Sequence, residues 1–78
     1  MVFETIRKET TPEMVVAQIL NKLKKGDLQP GGQLPSQREL AQLLGVGRSS
    51  VREAVNALTV MGYLDVHQGK GTFIRQEL

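Results

Sequence analysis

The chain has 78 residues, which allows one small domain with a modest hydrophobic core. It contains no cysteine, so disulfide bonds, thiolate nucleophiles and cysteine-ligated metal sites are excluded. Ten basic residues against eight acidic ones give a net charge of only +2, so the placement of charge, rather than its total, has to identify a partner.

Residues 1–10 show no sustained hydrophobic period. We expect them to form a loose arm, or an arm that packs only through Phe3 and Ile6. The folded domain is predicted to span residues 11–76.

A first helix is predicted to begin at Thr11 and Pro12, with threonine as the cap and proline at the first helical position. Gly26 ends it. Its apolar stripe consists of Val15, Val16, Ile19, Leu20 and Leu23.

Residues 27–35 predict a loop, in which Pro30 and Gly31 form a turn dipeptide. Extended backbone around Gln33 and Leu34 could pair with a later strand. That pairing would complete a small three-stranded sheet.

A short second helix is predicted from Gln37 to Leu44. Ser36 and Glu39 have the spacing of a capping box, and Gly45 supplies a left-handed helix end. We expect this helix to bury Leu40, Leu43 and Leu44.

A longer helix is predicted over residues 48–62, and its two faces differ sharply. Apolar residues recur at helical spacing on the face expected to be buried, namely Val51, Ala54, Val55, Leu58 and Met61. The opposite face is polar and carries Arg48, Ser49, Arg52, Asn56 and Thr59. Its basic and hydroxyl residues are concentrated at the helix start, where unpaired N–H groups and the helix dipole attract anions.

A short helix, a glycine-containing turn and a longer helix with a basic first turn are typical of a helix-turn-helix. In that motif the second helix lies in the major groove of DNA.

After Gly62 the hydrophobic period changes from 3.6 to 2, which predicts a β-hairpin with a glycine-rich tip over residues 68–71. We expect Leu64, Val66 and one of Phe73 or Ile74 to cover the helical core. The predicted fold class is therefore α+β: a winged helix-turn-helix of three helices and a C-terminal hairpin wing.

These motifs together resemble the N-terminal winged helix-turn-helix of the GntR family of bacterial transcription regulators. That family typically reads PG, LPS-x-RELA-x-x-LGVSR, VREA and G-x-GTF. The matching residues here are Pro30-Gly31, Leu34-Pro35-Ser36, Arg38-Glu39-Leu40-Ala41, Leu44-Gly45-Val46, Arg48, Val51-Arg52-Glu53-Ala54, Gly69 and Gly71-Thr72-Phe73.

The resemblance implies contacts with double-stranded DNA at specific residues. Arginines and hydroxyls of the second and third helices would face the major groove, and the wing tip would enter the minor groove with a lysine on phosphate. The residues concerned are Arg38, Arg48, Ser49, Ser50, Arg52, Gln68, Gly69 and Lys70. The sequence departs from the family at Gly47, where serine is usual, so a phosphate there would be held only by the backbone N–H.

The VREAV segment at residues 51–55 resembles the FadR-like branch of the family more than the branch that usually carries Met-Thr-Val-Arg at this place. Membership of the FadR-like branch implies a metabolite-responsive regulator, expected here to be a repressor, that binds a palindromic operator as a homodimer. It also implies a C-terminal helical domain that dimerises and binds a metabolite, often with a metal. We expect that domain to be absent from this chain and the chain itself to need no cofactor.

Other interpretations of these residues stay open at this point. The arginines could be solvated or paired with Glu39, Glu53 or Asn56, and Ser49 and Ser50 could merely satisfy the first-turn backbone. The whole module could instead bind protein or RNA.

The remaining expectations concern what the chain lacks. His67 is the only histidine, and we expect it on a strand face rather than at a metal site. No nucleophile and base pair is recognisable, so we expect no catalytic residue and no enzyme. Without a long apolar run or a signal-peptide core, we expect a cytoplasmic protein without membrane contact.

Overall fold

The computed structural model describes residues 2, 3 and 10–76. Three helices and a hairpin follow in chain order: α1 at Thr11–Lys25, α2 at Gln37–Leu44, α3 at Arg48–Val60, β1 at Leu64–His67 and β2 at Gly71–Ile74. The predicted winged helix-turn-helix is thereby confirmed. None of the helices described has the combination of length and apolar character that crossing a membrane requires.

Helix α1 starts one residue earlier than predicted, because Thr10 rather than Thr11 is its cap. The Thr10 hydroxyl accepts from the Glu13 N–H at 3.3 Å, and the Glu13 carboxylate accepts from the Thr10 N–H at 3.5 Å. This reciprocal capping box outweighs the cue given by Pro12, which occupies the second helical position. The predicted arm falls mostly outside the described residues, Ile6 included, and Phe3 is exposed.

The core lies between the three helices and the base of the hairpin. It consists of Val15, Ile19, Leu34, Leu40, Ala41, Val51, Ala54, Val55, Leu58, Leu64 and Ile74. All of the predicted core face of α3 is buried except Met61, the C-cap residue, whose backbone is still helical but which lies past the end of the core and is 52% exposed.

The prediction that Leu43 is buried is wrong, since its side chain is 73% exposed. Helix α2 packs through Leu40, Ala41 and Leu44. At 100° per residue, Leu43 lies about 110° from the middle of that face and therefore points towards solvent.

The hairpin is a two-stranded antiparallel sheet in which Leu64 pairs with Ile74 and His67 with Gly71. The predicted third strand is reduced to a single bridge between Gln33 and Phe73. The next backbone N–H that could face β2 after that of Leu34 is that of Ser36, and it donates to the Glu39 carboxylate instead, so the pairing does not extend towards α2.

The prediction that Val66 covers the core is also wrong, because its side chain is 55% exposed. It shares a face of β1 with Leu64, which is fully buried. Only the base of the hairpin rests on the helices, so the face that is buried at Leu64 is in solvent at Val66.

These two positions give a matched test of the packing. Leu64→Ala should lower the free energy of unfolding by about 2–5 kcal/mol through lost burial and an unfilled cavity. Val66→Ala, on the same face of the same strand, should change it by less than about 0.5 kcal/mol. Urea unfolding of both variants measures this, and equal losses would contradict the burial described here.

Candidate nucleic-acid interface

Helix α2 is fixed at its start by the predicted capping box. The Ser36 N–H donates to the Glu39 carboxylate at 3.1 Å, and the Glu39 N–H donates to the Ser36 hydroxyl at 3.1 Å. The bond from the Ser36 backbone, and then that from its side chain, lowers the pKa of Glu39. With its carboxylate engaged at the cap, Glu39 is not the partner of the neighbouring Arg38, which stays exposed.

A tight turn connects α2 to α3. Gly45 has φ 67°, the left-handed conformation predicted for it, and its N–H donates to the carbonyl of Ala41. The Val46 N–H donates to the same carbonyl at 3.0 Å. This reversal brings the start of α3 alongside α2.

The result is a shallow groove with an arginine from each helix, which we call the arginine groove. Its lining consists of Arg38, Ala41, Gln42, Gly45, Val46, Gly47 and Arg48. The structure thus brings together two of the predicted arginines, and Arg52 follows on the next turn of α3.

The first turn of α3 has no side-chain cap. Gly47 is the N-cap residue and offers no hydrogen-bonding side chain. Ser49 is exposed and Ser50 is half-buried, and neither hydroxyl makes a hydrogen bond within the described residues. The first-turn N–H groups and both hydroxyls are therefore available to an anion.

The three arginines at this surface carry no partner. Within residues 10–76, the side chains of Arg38, Arg48 and Arg52 make no ion pair or hydrogen bond, and all three are exposed. Local pairing with Glu39, Glu53 or Asn56 is not found. Three guanidinium groups, each with five N–H donors, thus face solvent.

The predicted wing-tip residues project separately from the arginine groove. Gln68, Gly69 and Lys70 are exposed and form a turn closed by the Lys70 N–H, which donates to the His67 carbonyl at 2.9 Å. Gly69 has φ 78°, and a Cβ placed there would meet no atom within 4 Å. The tip therefore ends in open space.

The wing and α2 border a second groove. It is lined by Gln33, Leu34, Pro35, Ser36, Gln37, Glu39, Lys70, Gly71 and Thr72. The wing tip consequently lies beside the start of α2. His67 is on β1, and its ring meets that of Phe73 edge-on at 5.2 Å.

An ion pair at the wing base was not foreseen from the sequence. The Arg75 guanidinium donates to one carboxylate oxygen of Asp65 through Nε at 3.1 Å and Nη2 at 2.8 Å. These bonds lower the pKa of Asp65 and raise that of Arg75. The hairpin register could have predicted this ion pair, because it places Asp65 opposite Phe73 and hence diagonal to Arg75.

Comparison with known proteins places this fold among regulators. The model for bacterial regulatory proteins of the gntR family matches residues 11–74. The transcriptional regulator Mce2R of Mycobacterium tuberculosis is 41% identical over 75 residues, 96% of this chain and 31% of Mce2R. The transcriptional repressor NanR of Klebsiella aerogenes is 38% identical over 65 residues, 83% of this chain and 25% of NanR.

One solved structure shows a similar domain on DNA. The DNA-binding domain of AraR in complex with operator ORX1 has a TM-score of 0.81 and 29% identity, covering 94% of this chain and 92% of that one. This chain spans less than a third of the length of Mce2R or NanR. The similarity therefore concerns one domain of longer proteins.

The ion pair at the wing base predicts a pH-dependent stability. The lowered pKa of Asp65 means that its stabilising effect is complete above the ordinary value of 3.8 and is lost as pH falls through the lower folded value. Unfolding free energies of the wild type and Asp65→Asn should therefore converge in acid. A difference that is constant with pH would contradict this.

The two glycines around the turn predict opposite effects of the same substitution. Gly47→Ser should stabilise the domain by about 0.3 kcal/mol, because Gly47 has φ −73° and a serine hydroxyl can cap α3. Gly45→Ser should destabilise it by about 1 kcal/mol, because φ is positive there. Thermal unfolding of both variants measures the signs, and equal signs would contradict the assigned conformations.

Proposed function

The chain belongs to the GntR family of bacterial regulatory proteins, and we propose that it is the sequence-specific DNA-binding domain of a bacterial transcription repressor. The observation that carries the proposal is the set of three exposed arginines at and beside the arginine groove, whose side chains have no partner within residues 10–76. The operator complex of the similar AraR domain supports it. The relatives are named regulators, and the function is binding without catalysis.

In this proposal the start of α3 enters the major groove. Arg48 and Arg52 read base edges, since an arginine that bonds guanine O6 and N7 together is the commonest specific contact. Arg38, from α2, contacts a phosphate or a base edge at the rim. The Ser49 and Ser50 hydroxyls and the N–H groups of the first turn hold phosphate.

The wing tip enters the adjacent minor groove. Gly69, which has open space around it, permits close approach of the backbone together with Gln68. Lys70 is exposed, and in this proposal its ammonium group meets a phosphate.

The chemistry of α3 favours duplex DNA over the other partners considered. Its exposed face offers arginine, serine and asparagine, whereas a protein-binding surface is typically anchored by aromatic or aliphatic side chains. The exposed apolar residues Val60 and Met61 lie at the opposite end of the helix. An RNA duplex has a deep, narrow major groove that side chains cannot read, whereas the major groove of B-form DNA admits a helix.

The whole protein is proposed to be a FadR-like regulator in the bacterial cytoplasm. The VREAV segment at residues 51–55 supports that branch, and the greater length of Mce2R and NanR supports a further domain. That domain would form a homodimer on a palindromic operator and bind a metabolite, with or without a metal. Ligand binding there would reorient the two DNA-binding heads. The DNA affinity of the full-length protein with and without candidate metabolites tests this, and equal affinities for all of them would count against it.

The DNA-binding proposal is tested by selecting sites from random duplexes with an engineered dimer of this domain. We expect a palindrome, with affinity that falls as salt rises. Arg48→Ala and Arg52→Ala should each cost about 1–3 kcal/mol at a particular base pair and relax its selection.

Lys24→Ala is the charge-matched control, because Lys24 is an exposed residue at the far end of α1. It should leave the selected sequence unchanged. Enrichment of no sequence, together with silent arginine substitutions, would contradict the proposal and point to a protein partner.

A further inference from the structure

Gln33 is not one of the predicted DNA-binding residues, but it makes a long-range contact with the backbone of one of them, Lys70. Its side-chain amide donates to the backbone carbonyl of Lys70 at 2.9 Å, across 37 positions of the chain. The acceptor belongs to the wing tip. The donor belongs to the loop before α2.

The backbone around Gln33 is tied to both of the neighbouring elements. The Gly31 N–H donates to the Ile74 carbonyl at 2.8 Å, and the Leu34 N–H donates to the Thr72 carbonyl at 2.8 Å. Leu34 is buried in the core, and Ser36 caps α2 two residues later. One short segment therefore joins β2 to the start of α2.

Gly71 leaves the space that the Gln33 amide occupies. A Cβ at Gly71 would lie 2.5 Å from Nε2 of Gln33, closer than non-bonded atoms can approach. Gly71 also has φ 123°, a conformation that favours glycine. A glycine at this position therefore permits both the turn and the contact with Gln33. Within the described residues, the tip is also closed by the turn bond from Lys70 to His67 and by the strand pairing of His67 with Gly71.

We propose that Gln33 is a positioning residue for DNA binding, because its amide restrains the wing tip relative to α2 and thus to the arginine groove. This inference rests on the proposed function. A tip that is already held in place loses less conformational freedom when it enters the minor groove, and that saving strengthens binding. Gln33 itself needs no contact with DNA.

The test is Gln33→Met, which keeps the length of the side chain, adds no charge and removes the N–H donor. Affinity for a selected duplex should fall about 2- to 10-fold, the factor expected for one hydrogen bond. Hydroxyl-radical protection of the minor groove at the wing should weaken, whereas protection of guanine N7 in the major groove should persist. A general loss of structure would weaken both signals together.

Gln18→Met is the matched control, because Gln18 is exposed on α1 and its side chain makes no hydrogen bond within the described residues. It should bind and protect DNA like the wild type. If the wild type protects both grooves and Gln33→Met does so with the same affinity, the positioning role is overturned while the proposed function stands. If the wild type protects no duplex, the proposed function fails as well.

A double-mutant cycle with Gly71→Ala gives an independent result. The alanine methyl group displaces the Gln33 amide, so each single substitution breaks the same contact. In the Gln33→Ala background the added loss of affinity from Gly71→Ala should be clearly smaller than in the wild type. Strictly multiplicative losses would overturn the inference.

Discussion

Burial of one face of α3 is the constraint on which the rest of the structure depends. Val51, Ala54, Val55 and Leu58 are almost completely excluded from solvent. Because an α-helix has a fixed period, burying these four positions leaves no freedom for the opposite face. The polar residues of α3 face solvent as a consequence of this packing. The candidate site therefore uses no position that the hydrophobic core needs.

Unlike α3, the wing is oriented mainly by exposed polar contacts rather than by burial in the core. Only its base is buried, at Leu64 and Ile74. Beyond that base, exposed polar contacts set its direction: Asp65 with Arg75 near the base and Gln33 with Lys70 at the tip. Exposed contacts of this kind are individually weak, so they can orient the wing without making it rigid. A recognition helix locked by the core is thus combined with a wing that is positioned by surface chemistry.

Local chemistry explains what could be predicted from the sequence. The cap at Ser36, the left-handed Gly45 and the start of α3 each depend on neighbouring residues, and all three are found as predicted. Thr10 was missed although the same T-x-x-E signal was present. Periodicity predicts that Val66 and Met61 are core residues, because it gives the face of an element but not the place where the core ends. The contact between Gln33 and Lys70 had no local signal, since it depends on how distant segments meet.

In the proposed complex, the arginine groove and the wing tip face two adjacent grooves of one duplex. The sequence contains no cysteine, so a Gln68→Cys variant has a single thiol. An iron chelate that cleaves DNA can be attached to that thiol, and the positions of cleavage then report where the wing tip lies on the duplex. With the chelate on the wing tip, cleavage should be confined to the minor groove beside the sequence that Arg48 and Arg52 select. Cleavage scattered along the duplex, or none on a duplex that the domain binds, would contradict it.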